Sequence, residues 1–300
     1  MKRLFALVFA LWFPASAAAG KPAPTKLPDA LVAALEVKAG LTYAHCGERE
    51  LQLDLYRPKE RGKALPAILC IHGGGWFKGD RSAMTNLAMA LAARGFVTVS
   101  ISYRLSGEAK FPAAIEDAKA AVRWLRANAE IHGIDPAKIG VTGLSAGGHL
   151  AALLATSGGV VSLEGNGGHR DQSSTVQACV AMGAQSDLLS KRIGELSARP
   201  DDPFYRPFLG GPQSEKRDLY ALASPRHHLD RNDPPLWFMT GALDDPSTHA
   251  DEARADLERL GVTTGLVVIP DAPHAFLGRQ DAFDACVAAA GAFFEEALGR

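Results

Sequence analysis

Apolar residues fall at every second position over 50–56, where Leu51, Leu53 and Leu55 alternate with Gln52, Asp54 and Tyr56, and this predicts a half-buried strand. From Pro66 to Ile71 the chain is continuously apolar, as a strand covered on both faces requires, and it runs straight into His72-Gly73-Gly74-Gly75-Trp76. Ser82 to Ala93 reads as a helix, with Ser82 as candidate N-cap and Gly95 beyond its end, and Gly95 to Ile101 as a second buried strand. Pro112 to Ala129 gives the clearest helical pattern, with a proline early and Ile115, Val122 and Leu125 on one side. Lys138 to Gly143 is a strand leading to Ser145, and Gly147 to Thr156 a helix behind it. Strands are predicted at Gln177–Met182, Leu236–Thr240 and Gly265–Ile269, and helices at 247–260 and 281–298.

Strands that alternate with helices make a mostly parallel sheet with helices on both faces. Two stretches break the rhythm. Ser157 to Thr175, rich in Gly, Ser and Asn, reads as a long loop. Residues 184–233, with many Pro and Arg, read as an insertion over the carboxyl edge of the sheet, where long loops shape substrate sites.

Composition is that of a globular protein: 300 residues, 47% hydrophobic and 22% charged, enough for one large core. Lys and Arg number 32 against 33 Asp and Glu, a formal net charge of −1, which argues against nucleic acid or an anionic membrane as partner. The first 19 residues read as a secretory signal peptide: Lys2 and Arg3, then apolar Leu4 to Phe13, then Ala17-Ala18-Ala19. The apolar run stops at Pro14, short of the about 20 residues a membrane span needs. Export to the periplasm or medium is therefore expected, with no membrane anchor after cleavage. Residues 20–39 are expected to form a leader and linker, and 40–300 the single folded domain. Export permits disulfides, but Cys70 and Cys179 sit in strand-like runs as small buried hydrophobes; Cys46 and Cys286 are left undetermined. No Cys/His spacing suggests zinc, and no metal is expected.

Gly143-Leu144-Ser145-Ala146-Gly147 has the form G-x-S-x-G between a strand and a helix, the arrangement that exposes a serine hydroxyl on a sharp turn. A serine hydroxyl needs a base to act as a nucleophile. In this architecture an acid and then a histidine follow the serine. His274, in Pro-Asp-Ala-Pro-His just after the last strand, is placed for that role ahead of His227, His228 and His249, while His72 and His149 read as structural. Asp244 and Asp245 both follow the penultimate strand; Asp244 is the expected acid and Asp245 the alternative, the other of the two then capping a turn. An ester transition state carries an oxyanion, and backbone N–H groups of Gly74, Gly75 and Ala146 are the candidate donors. Trp76 packs either over an acyl pocket or in the core. Asp80 and Arg104 are a candidate pair anchoring the glycine loop.

These residues resemble a known family. His72 to Trp76 with Gly79-Asp80, Ser100 to Leu105, Phe111 to Asp117, Trp124-Leu125, Gly143 to Leu150 and Ser224-Pro225 look like the α/β-hydrolase esterases. The H-G-G-G-W form is similar to the secreted feruloyl/acetyl esterase-like group and its hormone-sensitive-lipase relatives. Leu163 to Gly168 and Asp171 to Ser174 also look like secreted carbohydrate-ester hydrolases. The resemblance implies an eight-stranded α/β-hydrolase fold and cofactor-free hydrolysis of short-acyl carboxylic esters, acetyl or aromatic, of small molecules or carbohydrates, through an acyl-serine. It puts the nucleophile on Ser145, the acid on Asp244, the base on His274 and the anion hole on Gly74, Gly75 and Ala146. Ala184-Gln185-Ser186-Asp187 departs from the group's usual Gly-Pro turn. Arylformamidase-like amide hydrolysis, a lipase and a non-catalytic binding protein on the same scaffold are the alternative readings.

Overall fold

The computed structural model describes residues 25–60 and 62–300. The expected signal segment, residues 1–19, and the start of the leader lie outside them. Eight strands form one sheet: β1 (Leu35–Cys46), β2 (Arg49–Pro58), β3 (Leu65–Ile71), β4 (Val97–Ile101), β5 (Ile134–Leu144), β6 (Ala178–Met182), β7 (Leu236–Gly241) and β8 (Thr264–Ile269). Their order is β1-β2-β4-β3-β5-β6-β7-β8. The β1-β2 and β2-β4 pairs are antiparallel and all others parallel. The helices are α1 (Asp29–Ala33), α2 (Thr85–Ala93), α3 (Ala113–Ala127), α4 (Ala129–His132), α5 (Ala146–Thr156), α6 (Lys191–Ser197), α7 (Tyr205–Leu209), α8 (Arg217–Leu222), α9 (Asp251–Leu260) and α10 (Gln280–Ala297).

The apolar runs of the central strands are explained by burial on both faces. In β3, Ala67, Leu69 and Ile71 join the core layer that holds Ile115, Leu125, Leu150 and Leu153 of α3 and α5. Ile68 and Cys70 point the other way, into the layer of Leu87, Leu91, Phe283 and Phe294 from α2 and α10. The carboxyl ends of the parallel strands share one edge of the sheet, and that edge carries the site. Register brings the two glycine motifs side by side, since Cys70 pairs with Thr142 and Ile71 with Gly143.

Four features differ from the sequence expectations or refine them. Folded structure begins before residue 40, because α1 and the start of β1 lie in the segment read as linker. As an edge strand with six of its twelve positions half-buried, β1 carries no clean alternation. The helix predicted from Ser82 opens with a short 3-10 turn, and its cap is Asp80, whose carboxylate accepts from the Ser82 N–H at 2.8 Å. Asp80 therefore does not pair with Arg104. Arg104 instead binds the buried Asp117 at 2.6 Å and Glu116 at 3.1 Å, both one helix away on α3. All four cysteines are free thiols, three of them buried, which leaves Cys46 and Cys286 unbridged.

The long loop 157–175 is held by charge. Lys119 of α3, fully buried, donates to Ser157 O and to Glu164 Oε1, each at 2.7 Å. Arg123 reaches the Glu164 carboxylate at 3.0 Å and the Gly167 carbonyl at 2.8 Å. Leu163 to Gly168 thus closes over α3, and its glycines give the close approach: a Cβ on Gly165 would meet Glu116 at 2.6 Å.

Candidate active site

Ser145 joins β5 to α5 with φ 60° and ψ −120°, a conformation L residues rarely adopt. Its N–H is bonded to Met182 O at 2.8 Å, which locks the turn to β6. The glycines of the motif are required by contact. A Cβ on Gly147 would stand 2.1 Å from Ile71 O, and one on Gly143 2.4 Å from Gly147 O. Gly148 would meet Met182 O at 2.3 Å.

The loop after β8 brings His274 back to this elbow. His274 Nε2 lies 2.8 Å from Ser145 Oγ, and Nδ1 lies 2.8 and 3.0 Å from the Asp244 carboxylate oxygens. A carboxylate only accepts, so Nδ1 carries the proton and Nε2 presents its lone pair to the serine hydroxyl. The side chain of Asp244 is 4% exposed and also accepts from the Asp245 N–H at 2.7 Å and from Thr240 Oγ1 at 3.2 Å. Between the two adjacent acids, the structure puts Asp244 on the imidazole. Asp245 faces away, accepting from the N–H and Oγ of Ser247 to cap the turn 246–249 and ion-pairing with Arg192 of α6.

The other histidines have different partners. His228 Nε2 donates to Leu222 O, and His149 Nε2 donates to Ala223 O at 2.7 Å. Burial pushes the His149 imidazole down to about 4, so it stays neutral. His227 and His249 lie away from the elbow, and neither lines its cavity.

Gly74, Gly75 and Ala146 all line the cavity that holds Ser145 and His274. The orientation of their N–H groups follows from bonds made elsewhere. The Gly73 carbonyl accepts from buried His72 Nδ1 at 2.7 Å, and a trans peptide points its N–H opposite to its C=O. The Gly74 N–H is thereby turned away from His72. The Gly74 carbonyl in turn accepts from the N–H groups of Phe77 and Lys78, each at 3.2 Å, which directs the Gly75 N–H away from that turn. The Ala146 N–H heads α5, where no intrahelical acceptor exists. His72 is fixed by stacking on Tyr103, with centroids 4.3 Å apart, and burial holds its imidazole below its ordinary value and hence neutral.

The cavity measures about 1210 Å³. Its inner wall is Trp76, 4% exposed, stacked on Phe208 at 4.6 Å and edge-on to His149 at 5.3 Å. Trp76 thus does both things the sequence left open, packing in the core and walling the cavity. The insertion supplies the rest, with Gln185, Arg192, Leu196 and Tyr205 among the lining residues. Sequence reasoning missed Gly183 and the rings of Phe77 and Phe204. Gly183, at φ 54°, leaves room for the imidazole: a Cβ there would stand 3.1 Å from His274 Cε1. A lone glycine directly after a buried strand was its only signal. Among the described residues no group of three or more His, Cys, Asp or Glu is arranged to hold a metal ion.

Fold and site together define an α/β-hydrolase. The BD-FAE family model matches residues 53–255, and the chain belongs to that family. It is 32% identical to the esterase LipQ of Mycobacterium tuberculosis over 77% of this chain and 55% of that protein. The chain spans about half the length of the curated relatives it matches first. Among solved structures it resembles a truncated carbohydrate esterase from gut microbiota, with TM-score 0.76 and 29% identity over 88% of this chain and 97% of that one. Esterase 2 of Thermogutta terrifontis with butyrate bound gives TM-score 0.72 and 28% identity, covering 88% of this chain and 94% of its own.

Proposed function

We propose that this protein is an exported serine carboxylesterase acting on short-acyl esters, those of carbohydrates included. The observation that carries the reading is the unbroken line of hydrogen bonds from Asp244 through His274 to Ser145 Oγ. Ser145 Oγ attacks the ester carbonyl while His274 Nε2 takes its proton, and Asp244 holds the imidazole in the right tautomer and stabilises it as a cation. The carbonyl oxygen, now negative, is received by the N–H groups of Gly74, Gly75 and Ala146. His274 gives its proton to the leaving alcohol and then activates water to release the acid.

Relatives and structural neighbours named as esterases support the ester reading. The helices of the insertion are short, seven, five and six residues in α6, α7 and α8, which favours soluble esters over a lipase with a long apolar lid. The N-terminal pattern of residues 1–19 supports export.

The test is hydrolysis of p-nitrophenyl acetate, butyrate and decanoate by the mature protein beside Ser145→Ala. The reading requires rates that fall with acyl length and vanish in the variant. Turnover of an aryl formamide in preference to all three esters would replace it with the amide reading.

A further inference from the structure

Large apolar side chains are seldom left open at a site without a use, and two stand at the mouth of this one. Phe77 is 39% exposed and Phe204 43%, and both line the cavity of Ser145. They come from separate segments, Phe77 from the glycine loop and Phe204 from the insertion ahead of α7, yet their centroids lie 6.0 Å apart at an angle of 40°. Both are seated against Gly75. A Cβ on that glycine would stand 2.6 Å from Phe204 Cδ1 and 2.9 Å from Phe77 Cε1. Any other residue at 75 would therefore push the rings off the glycine loop. Phe204 is held from its own side, since its N–H donates to Asp202 Oδ1 at 3.1 Å. Lys78 Nζ stands 5.4 Å over the Phe77 ring, and among the described residues it has no carboxylate partner.

We propose that Phe77 and Phe204 form a ring-binding subsite that takes the apolar face of a six-membered ring on the ester's alcohol half, with Lys78 donating to oxygens where that ring carries them. This rests on the esterase reading of Ser145. The assignment to the alcohol half follows from the two ends of the cavity. The acyl half stays bonded to Ser145 through half of the reaction, beside the buried wall of Trp76 and Tyr205. The alcohol half has to leave through the opening, where the two rings lie. An aromatic face accepts either an aryl ring or the C–H face of a pyranose, so the chemistry recognised is an apolar ring face, from either source.

The experiment compares kcat/KM for benzyl acetate and an acetylated methyl pyranoside, each divided by that for ethyl acetate. Wild type is set beside Phe77→Ala, Phe204→Ala and Phe204→Tyr. Dividing by ethyl acetate removes any general damage to the glycine loop. The ring-to-ethyl ratio is expected to fall about tenfold in each alanine variant and to recover in Phe204→Tyr. A fall for benzyl acetate alone makes the natural ring aryl, and a fall for the pyranoside alone makes it a sugar; either supports the subsite. Unchanged ratios for both overturn it, as does a loss confined to methyl benzoate, which carries its ring on the acyl half. Binding of benzyl alcohol and of methyl pyranoside to Ser145→Ala, with and without Phe204→Ala, separates the subsite from the esterase reading. If no ester is turned over but Phe204→Ala weakens Kd for a ring alcohol, the subsite stands and the esterase reading falls. Equal Kd values overturn the subsite.

Discussion

Arg192, on α6 of the insertion, is ion-paired with Asp245, the immediate neighbour of the acid that holds His274. Two consecutive carboxylates thus face opposite ways, Asp244 into the site and Asp245 toward the wall the insertion builds. Burial pushes the Asp245 carboxyl up, but the bonds from Ser247 and the charge of Arg192 outweigh it and hold it below the ordinary range. Substitution separates the two roles. Asp244→Asn is expected to lower kcat by about 10⁴-fold, since an amide cannot hold the required tautomer. Asp245→Ala is expected to change kcat by less than about tenfold and to cost roughly 1 kcal/mol of stability through the lost cap. Steady-state kinetics and thermal unfolding of the two variants decide it, and the opposite ranking would move the acid to Asp245.

Ser145→Ala is expected to lower turnover by at least about 10⁴-fold with no loss of melting temperature. A fluorophosphonate probe should label the wild-type protein at Ser145 and leave the variant unlabelled. Labelling at another residue would refute the assignment of the nucleophile.

His72 touches no reacting atom in the mechanism above, yet its Nδ1–H holds the peptide that aims the Gly74 N–H. His72→Phe keeps a ring against Tyr103 and removes that bond. The expected result is a fall of about 10- to 100-fold in kcat with little change in KM, because the oxyanion exists only after attack. A matching rise in KM would show that the loop serves ground-state binding instead.

Glu164 ties loop 157–175 to buried Lys119. Burial pushes its carboxyl up, but Lys119, Ser174 and Arg123 outweigh that and hold it below its ordinary value of 4.5. A carboxyl whose value is lower folded than unfolded gives its full stabilisation above 4.5 and loses it as pH falls through the lowered folded value. Glu164→Gln, which leaves Lys119 the Ser157 carbonyl but removes its countercharge, is expected to cost about 2 kcal/mol at neutral pH. The gap to wild type should narrow in thermal unfolding as pH falls below 4.5. A gap independent of pH would mean that Glu164 acts through packing alone.

Much of this was legible in the chain, and for local reasons. Pro66–Ile71 read as a strand covered on both faces because its run is continuously apolar, and Ser145 followed from the glycines its turn demands. The His274 position followed from chain order. What escaped depended on partners far away in sequence. An edge strand such as β1 shows no period, and Arg104 chose Asp117 over Asp80 because α3 docks beside it. The choice between Asp244 and Asp245 is invisible in a dipeptide whose members differ only in the direction they face. Phe77 and Phe204 meet only when the insertion folds back over the glycine loop, and no spacing announces that.

The turn at Ser145 sets activity against endurance. A serine held at φ 60° and ψ −120° stands where only glycine is at ease. Glycine at that position would relax the backbone, so the inert protein Ser145→Gly should melt at a higher temperature than the working one. Selection for thermal resistance alone would drive this chain toward silence, and the serine persists only where its chemistry is in demand.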